Sequence, residues 1–131
     1  MSLIKAIHHV AIRCCGIDSY IKAVSFYTDV LGMSVIRSWG SAESSACMVG
    51  SGSCILELYA SGTKPIERNR LIHIAFETDD VDECIRRVKA AGCDVLHEPN
   101  DRDIPSKPPL PIRMAFCYGP NGEEIEFFNL R

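Results

Sequence analysis

The chain repeats one short pattern in its two halves. His9 begins an apolar run near the start of the first half, and His73 begins a similar run in the second. Each half closes with a single glutamate between apolar residues, Glu57 in the first and Glu126 in the second. Matched polar residues in matched apolar settings predict two copies of one structural unit.

The apolar spacing predicts a βαβββ unit in each half, because strand-like alternation and helix-like spacing follow in the same order twice. The first half is predicted to contain a strand, a helix and three strands at 7–13, 17–31, 33–39, 45–50 and 54–60. The second half repeats them at 71–77, 81–91, 93–97, 112–118 and 123–129. We expect one domain, 1–131, made of module 1 (about 5–62) and module 2 (about 69–131), since neither half covers its own sheet.

Two helix starts carry specific signals. Asp18 is placed to cap the first helix, and Gly32 to end it. Asp80 and Glu83 have the spacing of a capping box at the start of the second helix.

Strand parity indicates that the matched polar residues share one side of their sheets. Side chains alternate across a strand, so His9 lies opposite Val10 and Ile12. The same alternation places Glu57, His73 and Glu126 opposite the apolar rows of their own strands. If the helices cover the apolar rows and the sheets curl to face one another, all four side chains line one groove.

Two imidazoles and two carboxylates suit a borderline divalent ion such as Zn²⁺, Ni²⁺, Co²⁺, Mn²⁺ or Fe²⁺. A six-coordinate ion held by four residues keeps two positions for water or substrate, as Lewis-acid catalysis requires. Taken singly, a strand histidine is more often at the surface or hydrogen-bonded than a ligand. His8 is a rival to His9, and His97 is interpreted as a loop histidine.

Composition excludes several classes of function. The net charge of −3 and the lack of a basic block argue against a nucleic-acid partner. No apolar run approaches the roughly 18 residues of a membrane span, and no leader pattern is evident, so a cytoplasmic protein is expected. The seven cysteines, an odd number without a Cys-x-x-Cys pair, are interpreted as small hydrophobes of a reducing compartment.

The motifs together resemble those of the vicinal oxygen chelate superfamily, which includes glyoxalase I, bleomycin-resistance proteins, methylmalonyl-CoA epimerase and extradiol dioxygenases. They are His8-His9-Val-Ala-Ile, Phe26-Tyr27 with Leu31-Gly32, Leu-Glu57-Leu, His73-Ile-Ala-Phe and Gly119-Pro-Asn-Gly-x-x-Ile-Glu126. The resemblance implies an α+β fold in which two βαβββ modules form an open, cup-shaped, eight-stranded mixed sheet. It also implies a homodimer.

By this resemblance the metal ligands are His9, Glu57, His73 and Glu126, as in bacterial-type glyoxalase I, a lactoylglutathione lyase that uses Ni²⁺, Co²⁺ or Zn²⁺. Glu126 would be the catalytic base, and Glu57 a ligand or second acid-base group. Arg13 matches an arginine that holds a carboxylate of glutathione in glyoxalase I. The asparagine that usually follows the second ligand is absent, so the thiol, glutathione or another, is left open.

The leading hypothesis is therefore proton transfer beside a carbonyl of a small-molecule substrate, a 2-oxoaldehyde hemithioacetal, through an enediolate. Segment 98–112 holds five of the seven prolines and is predicted as a long loop. Arg102 and Lys107 in that loop, with Arg113 directly after it, would meet an anionic substrate, unless the loop is only a rigid connector.

Three alternatives use the same fold. An acyl-CoA epimerase would share the enolate chemistry. An extradiol dioxygenase needs Fe²⁺ and one carboxylate, so Glu57 argues against it. A non-catalytic antibiotic-binding protein would use an aromatic groove, to which Trp39, Tyr59 and Phe128 could contribute, but it would leave the four polar residues unexplained.

Overall fold

The computed structural model describes residues 2–3, 6–67 and 73–131. The chain divides into two compact units, Met1–Ile66 and Glu67–Arg131, and the boundary lies inside the predicted linker 61–70. Each unit combines a four-stranded mixed sheet with one α-helix. The predicted α+β class and the two βαβββ modules are confirmed.

The first unit follows the predicted order of elements. Its strands and helix are β1 (Val10–Cys15), α1 (Gly16–Ser25), β2 (Ser34–Trp39), β3 (Ala46–Ser51) and β4 (Cys54–Gly62). The sheet order is β1-β4-β3-β2, with β1 parallel to β4 and the other pairs antiparallel. β1 and β4 can be parallel because α1 returns the chain across the sheet between β1 and β2. Its core includes Leu58 and Val49 of the sheet with Ala23 and Tyr27 of the helical segment.

The second unit repeats this topology. Its elements are β5 (Ile74–Glu77), α2 (Val81–Ala90), β6 (Val95–Ile104), β7 (Leu110–Tyr118) and β8 (Glu124–Leu130). The sheet order is β5-β8-β7-β6, again with one parallel pair, β5 with β8. Residues 71 and 72 of the predicted first strand lie outside the described residues. α2 packs on β6, β7 and β8 through its buried residues Val81, Ile85 and Val88.

The first helix differs from its prediction at its start and in its last turn, whereas Gly32 follows its end as predicted. α1 starts at Gly16 after Cys15, and Asp18 lies inside its first turn, where a carboxylate favours the helix dipole without capping the helix. From Phe26 to Val30 the backbone is π-helical. Gly32, with a φ of +77°, follows this segment and takes the left-handed conformation that glycine adopts without steric cost.

The capping box of the second helix is half correct. The Asp80 carboxylate accepts a hydrogen bond from the Glu83 N–H at 2.9 Å, as predicted. The Glu83 side chain does not reach back to Asp80, because Arg86 and Arg87 donate to it at 2.5 and 2.8 Å. The Asp80 N–H donates to Thr78 instead.

The prediction of a long loop at 98–112 is wrong. Most of this segment belongs to the hairpin of β6 and β7, and only residues 105–109 form the turn. β6 is the edge strand of its sheet, where proline can be tolerated. Pro99 lies where the β6–β7 register shifts, between His97 and Asn100. No helix in the described part of the chain is long and apolar enough to cross a membrane.

Candidate functional site

In the first unit, strand pairing brings a histidine and a glutamate together. Ala11 of β1 is the register partner of Glu57 in β4, so His9, two residues earlier, falls on the same side of the sheet as Glu57. The His9 Nε2 and Glu57 Oε2 atoms are 3.8 Å apart. The Glu57 side chain is buried, at 8% exposure.

The second unit builds the same pair. Ala75 of β5 is the register partner of Glu126 in β8, and His73 again lies two residues before it. The His73 Nε2 and Glu126 Oε2 atoms are 3.1 Å apart. Burial raises the pKa of the Glu126 carboxyl above its usual value, and the charge of a protonated His73 works against this shift.

The opposite side of each sheet is apolar, as strand parity predicts. Leu56 and Leu58 on either side of Glu57 are fully buried, and α1 packs on their strand. Ile125 and Phe127 on either side of Glu126 are equally buried, and α2 contacts their strand. Within each unit the histidine and glutamate therefore lie on the side away from the helix.

Glu57 has a second neighbour, Tyr59, which was predicted only as part of an aromatic groove. The Tyr59 hydroxyl donates a hydrogen bond to Glu57 Oε1. This bond raises the pKa of Tyr59, and the Arg13 guanidinium, from the neighbouring strand, lowers it by a smaller amount. The Trp39 ring meets the Tyr59 ring edge-on, with centroids 6.1 Å apart. Arg13 itself is exposed.

Two other histidines lie close to the predicted ligands. The His8 Nδ1 atom is 2.8 Å from His9 Nδ1, so the rival of His9 is its direct neighbour. His97, interpreted as a loop histidine, is in β6 and meets the Phe116 ring edge-on at 5.5 Å. The same ring lies 5.3 Å from His73. Recognising residues 95–104 as a strand would have placed His97 on this face.

Arg113, predicted to bind substrate, is paired with two aspartates in its own unit. The Arg113 guanidinium donates to both oxygens of Asp82 on α2, at 2.6 and 2.7 Å, and to Asp101 on β6 at 3.2 Å. These contacts place it on the helix side of β7, whereas Phe116, the register partner of Glu126, points to the other side. Lys107 is exposed in the turn between β6 and β7.

The donor chemistry of the two pairs fits a divalent ion. Imidazole nitrogen and carboxylate oxygen bind such ions at roughly 2.0–2.2 Å, so two neighbouring ligands of one ion lie about 3 Å apart. The N···O separations of 3.8 and 3.1 Å are close to this value. No group of three or more His, Cys, Asp or Glu side chains that could hold a metal occurs in the described residues. Each unit therefore offers two donors.

Comparisons with known proteins agree with this picture. Residues 6–127 match the model of the Glyoxalase/Bleomycin resistance protein/Dioxygenase superfamily. A lactoylglutathione lyase of Neisseria meningitidis is 34% identical over 129 residues, which cover 91% of this chain and 86% of the relative. A probable lactoylglutathione lyase of Vibrio cholerae is 33% identical over 126 residues, which cover 90% of this chain and 86% of that relative.

A solved structure supports the fold. The glyoxalase family protein of Enterococcus faecalis superposes with a TM-score of 0.72 at 23% identity, covering 97% of this chain and 99% of that chain. The repeated βαβββ topology, the matched His/Glu pairs and the family match point the same way. The chain belongs to the Glyoxalase/Bleomycin resistance protein/Dioxygenase superfamily.

Proposed function

We propose that this protein is a divalent-metal-dependent lyase or isomerase of the glyoxalase I type. The observation that carries the proposal is the pairing of a histidine with a buried glutamate on the same side of each sheet, once per unit. Relatives named lactoylglutathione lyase at more than 30% identity support the same reaction class. The proposed substrate is a 2-oxoaldehyde hemithioacetal, and the product is a 2-hydroxyacyl thioester.

The proposed ligands are His9, Glu57, His73 and Glu126. One pair comes from each unit, and the two units belong either to one chain or to two chains of a homodimer. Ni²⁺, Zn²⁺ and Co²⁺ suit this donor set best, and Mn²⁺ or Fe²⁺ would also fit it. A bound ion supplies Lewis-acid stabilisation of the negative charge that develops on adjacent substrate oxygens.

Glu126 is proposed to move the proton, by its position in the family pattern. Its carboxylate takes the proton from the hemithioacetal carbon and returns one to the neighbouring carbon. One C–H bond breaks and another forms, and the hydroxyl proton passes from the oxygen of the first carbon to that of the second, so the substrate is isomerised without an oxidant or reductant. Glu57 serves as ligand, with a second acid-base role if the reaction needs one.

The thiol part of the substrate is the least determined. Arg13 is exposed on the same side of the sheet as Glu57 and is proposed to hold a carboxylate of the thiol. Lys107 remains a candidate for the same role because its turn is exposed. Arg113 is not proposed, since Asp82 and Asp101 occupy its guanidinium.

The seven reduced cysteines are typical of a reducing compartment, so we also propose a cytoplasmic protein.

The test combines metal analysis with turnover. Purified protein is loaded with Ni²⁺, Co²⁺ or Zn²⁺ and assayed with methylglyoxal plus glutathione, with other thiols, and with acyl-CoA esters. Glu126→Gln should lower turnover by about a hundredfold or more while metal is still bound, because it removes the proton carrier. Glu98→Gln, an exposed glutamate paired with Lys89, is the control.

Two results would contradict the proposal. The first is a protein that takes up no divalent ion, and the second is a Glu126→Gln variant with wild-type turnover. A preference for acyl-CoA esters over hemithioacetals would point instead to an epimerase with the same proton-transfer chemistry.

A non-catalytic binding protein is the second candidate. It is favoured by Trp39, which is 42% exposed and lies against Tyr59 on the side of the sheet that carries Glu57. Tight binding of an aromatic antibiotic, together with no metal uptake, would support this candidate over the enzyme.

A further inference from the structure

The two units differ at one position close to their equivalent glutamates, Glu57 and Glu126. Two residues after Glu57 comes Tyr59, and two residues after Glu126 comes Phe128. Side chains two apart on a strand point to the same side, so each aromatic ring shares the face of its glutamate. Tyr59 and Phe128 differ by a single hydroxyl group, so the effect of that hydroxyl can be compared between the two units of one chain.

In the first unit this hydroxyl holds the glutamate. Tyr59 donates to Glu57 Oε1, while Glu57 Oε2 faces His9 Nε2 at 3.8 Å. Ala46 is the register partner of both Tyr59 and Trp39, and its small side chain lets the Trp39 ring reach Tyr59 across β3. The tyrosine that holds Glu57 is therefore itself supported from a neighbouring strand.

Among the described residues of the second unit, the equivalent oxygen has no such donor. Glu126 Oε2 lies 3.1 Å from His73 Nε2, and no hydrogen-bond donor among the described residues contacts Oε1. Phe128 supplies a ring without a hydroxyl, and the register partners of Glu126 are the apolar Ala75 and Phe116. In the described part of this half, the glutamate therefore lacks the hydroxyl contact that Tyr59 gives Glu57.

We propose that Tyr59 makes the two glutamates unequal: it holds Glu57 as a fixed ligand that offers one oxygen, and leaves Glu126 as the carboxylate that can turn and carry the proton. The inference rests on the proposed function and adds a structural reason for the assignment of Glu126. Tyr59 is a positioning residue, since it acts through Glu57. Neighbours that orient a metal ligand in this way commonly change metal affinity by about 10–100-fold when they are removed.

The test exchanges the hydroxyl between the two units. Tyr59→Phe keeps the ring against Trp39 and removes only the donor, so the Kd for Co²⁺, followed by its visible absorption, should rise about tenfold or more. Phe128→Tyr adds a donor beside Glu126 and should lower kcat about tenfold without weakening Co²⁺ binding. Tyr20→Phe, which removes a hydroxyl bonded to Cys47, is the matched control and should leave Co²⁺ affinity unchanged.

The outcomes separate this inference from the proposed function. A wild-type protein that takes up no Co²⁺ would overturn both. If the wild type binds Co²⁺ and is active but Tyr59→Phe binds it equally well, only the role of Tyr59 is lost. The Co²⁺ affinity of Tyr59→Phe also decides the question alone if Phe128→Tyr does not fold.

Discussion

Burial governs the chemistry of single side chains in this protein. Glu57 and Glu126 are each 8% exposed, and a carboxylate at that depth needs donors or a cation to offset its lost hydration. Each has a histidine within 4 Å, and Glu57 also has the Tyr59 hydroxyl. Burial acts on a cysteine as well, since it is the largest of the effects that raise the pKa of Cys117 to about 12 and keep its thiol protonated.

We predict that Cys117 does not react in the folded protein. A thiol with this pKa has roughly a thousandfold less thiolate at neutral pH than an ordinary cysteine. Native protein treated with iodoacetamide and digested should show Cys117 unmodified by mass spectrometry. Protein unfolded in guanidinium is the control, and there Cys117 should react fully. Equal labelling in both states would mean that the site opens readily.

Ion pairs between neighbouring elements add to the apolar contacts that hold α2 on its sheet. Arg113 on β7 bridges Asp82 on α2 and Asp101 on the edge strand β6. Its guanidinium lowers the pKa of both carboxyls. The sequence pattern could not show this, because both aspartates are distant in sequence and come close only when the hairpin and the helix are in place.

The bridge predicts a pH dependence of stability. A carboxyl whose pKa is lower in the folded state stabilises the fold above its unfolded pKa of about 4, and this contribution disappears as pH falls through the lower folded value. Arg113→Met should therefore reduce the melting temperature at pH 7. The gap to wild type should narrow as the pH drops below about 4.

Thermal unfolding followed by circular dichroism over this pH range measures the gap. Arg102→Met is the control, since Arg102 donates to the neutral Asn100 side chain. A gap of the same size at acid and neutral pH would show that Arg113 stabilises only by packing.

Over the whole molecule, the duplication divides the proposed metal ligands equally. Each unit contributes one imidazole and one buried carboxylate from equivalent strands. Neither pair alone meets the ligand count of a typical protein metal site, which is three or four residues. The proposed function therefore needs both units, and the loss of either His/Glu pair should weaken metal binding in the same way.

We predict that divalent metal stabilises the protein and that each histidine is needed for it. Ni²⁺ at a hundredfold excess over its Kd should raise the free energy of unfolding by about 2.7 kcal/mol. His9→Ala and His73→Ala should both lose most of this increase, whereas His97→Ala should keep it. Melting curves with and without Ni²⁺ provide the measurement. Full stabilisation in either His9→Ala or His73→Ala would mean that one unit alone holds the ion.

Two features could be predicted from the amino-acid sequence: the βαβββ repeat and the side of each sheet on which the four polar residues lie. Both follow from local periodicity, since alternation along a strand needs no knowledge of what the strand packs against. This is why the side of the sheet on which Glu57 and Glu126 lie was predicted correctly. The β6–β7 hairpin was predicted as a loop because that prediction relied on proline content alone.

The partners of these side chains, in contrast, depend on how the strands pair. Strand pairing brings His9 to Glu57 and His73 to Glu126, and it sends Arg113 to the helix side with Asp82. It also brings the Tyr59 hydroxyl to Glu57 and places a tryptophan from β2 against the Tyr59 ring. The physical reason is that hydrogen bonds and ion pairs depend on distances of a few ångströms between residues far apart in the chain, which periodicity does not encode.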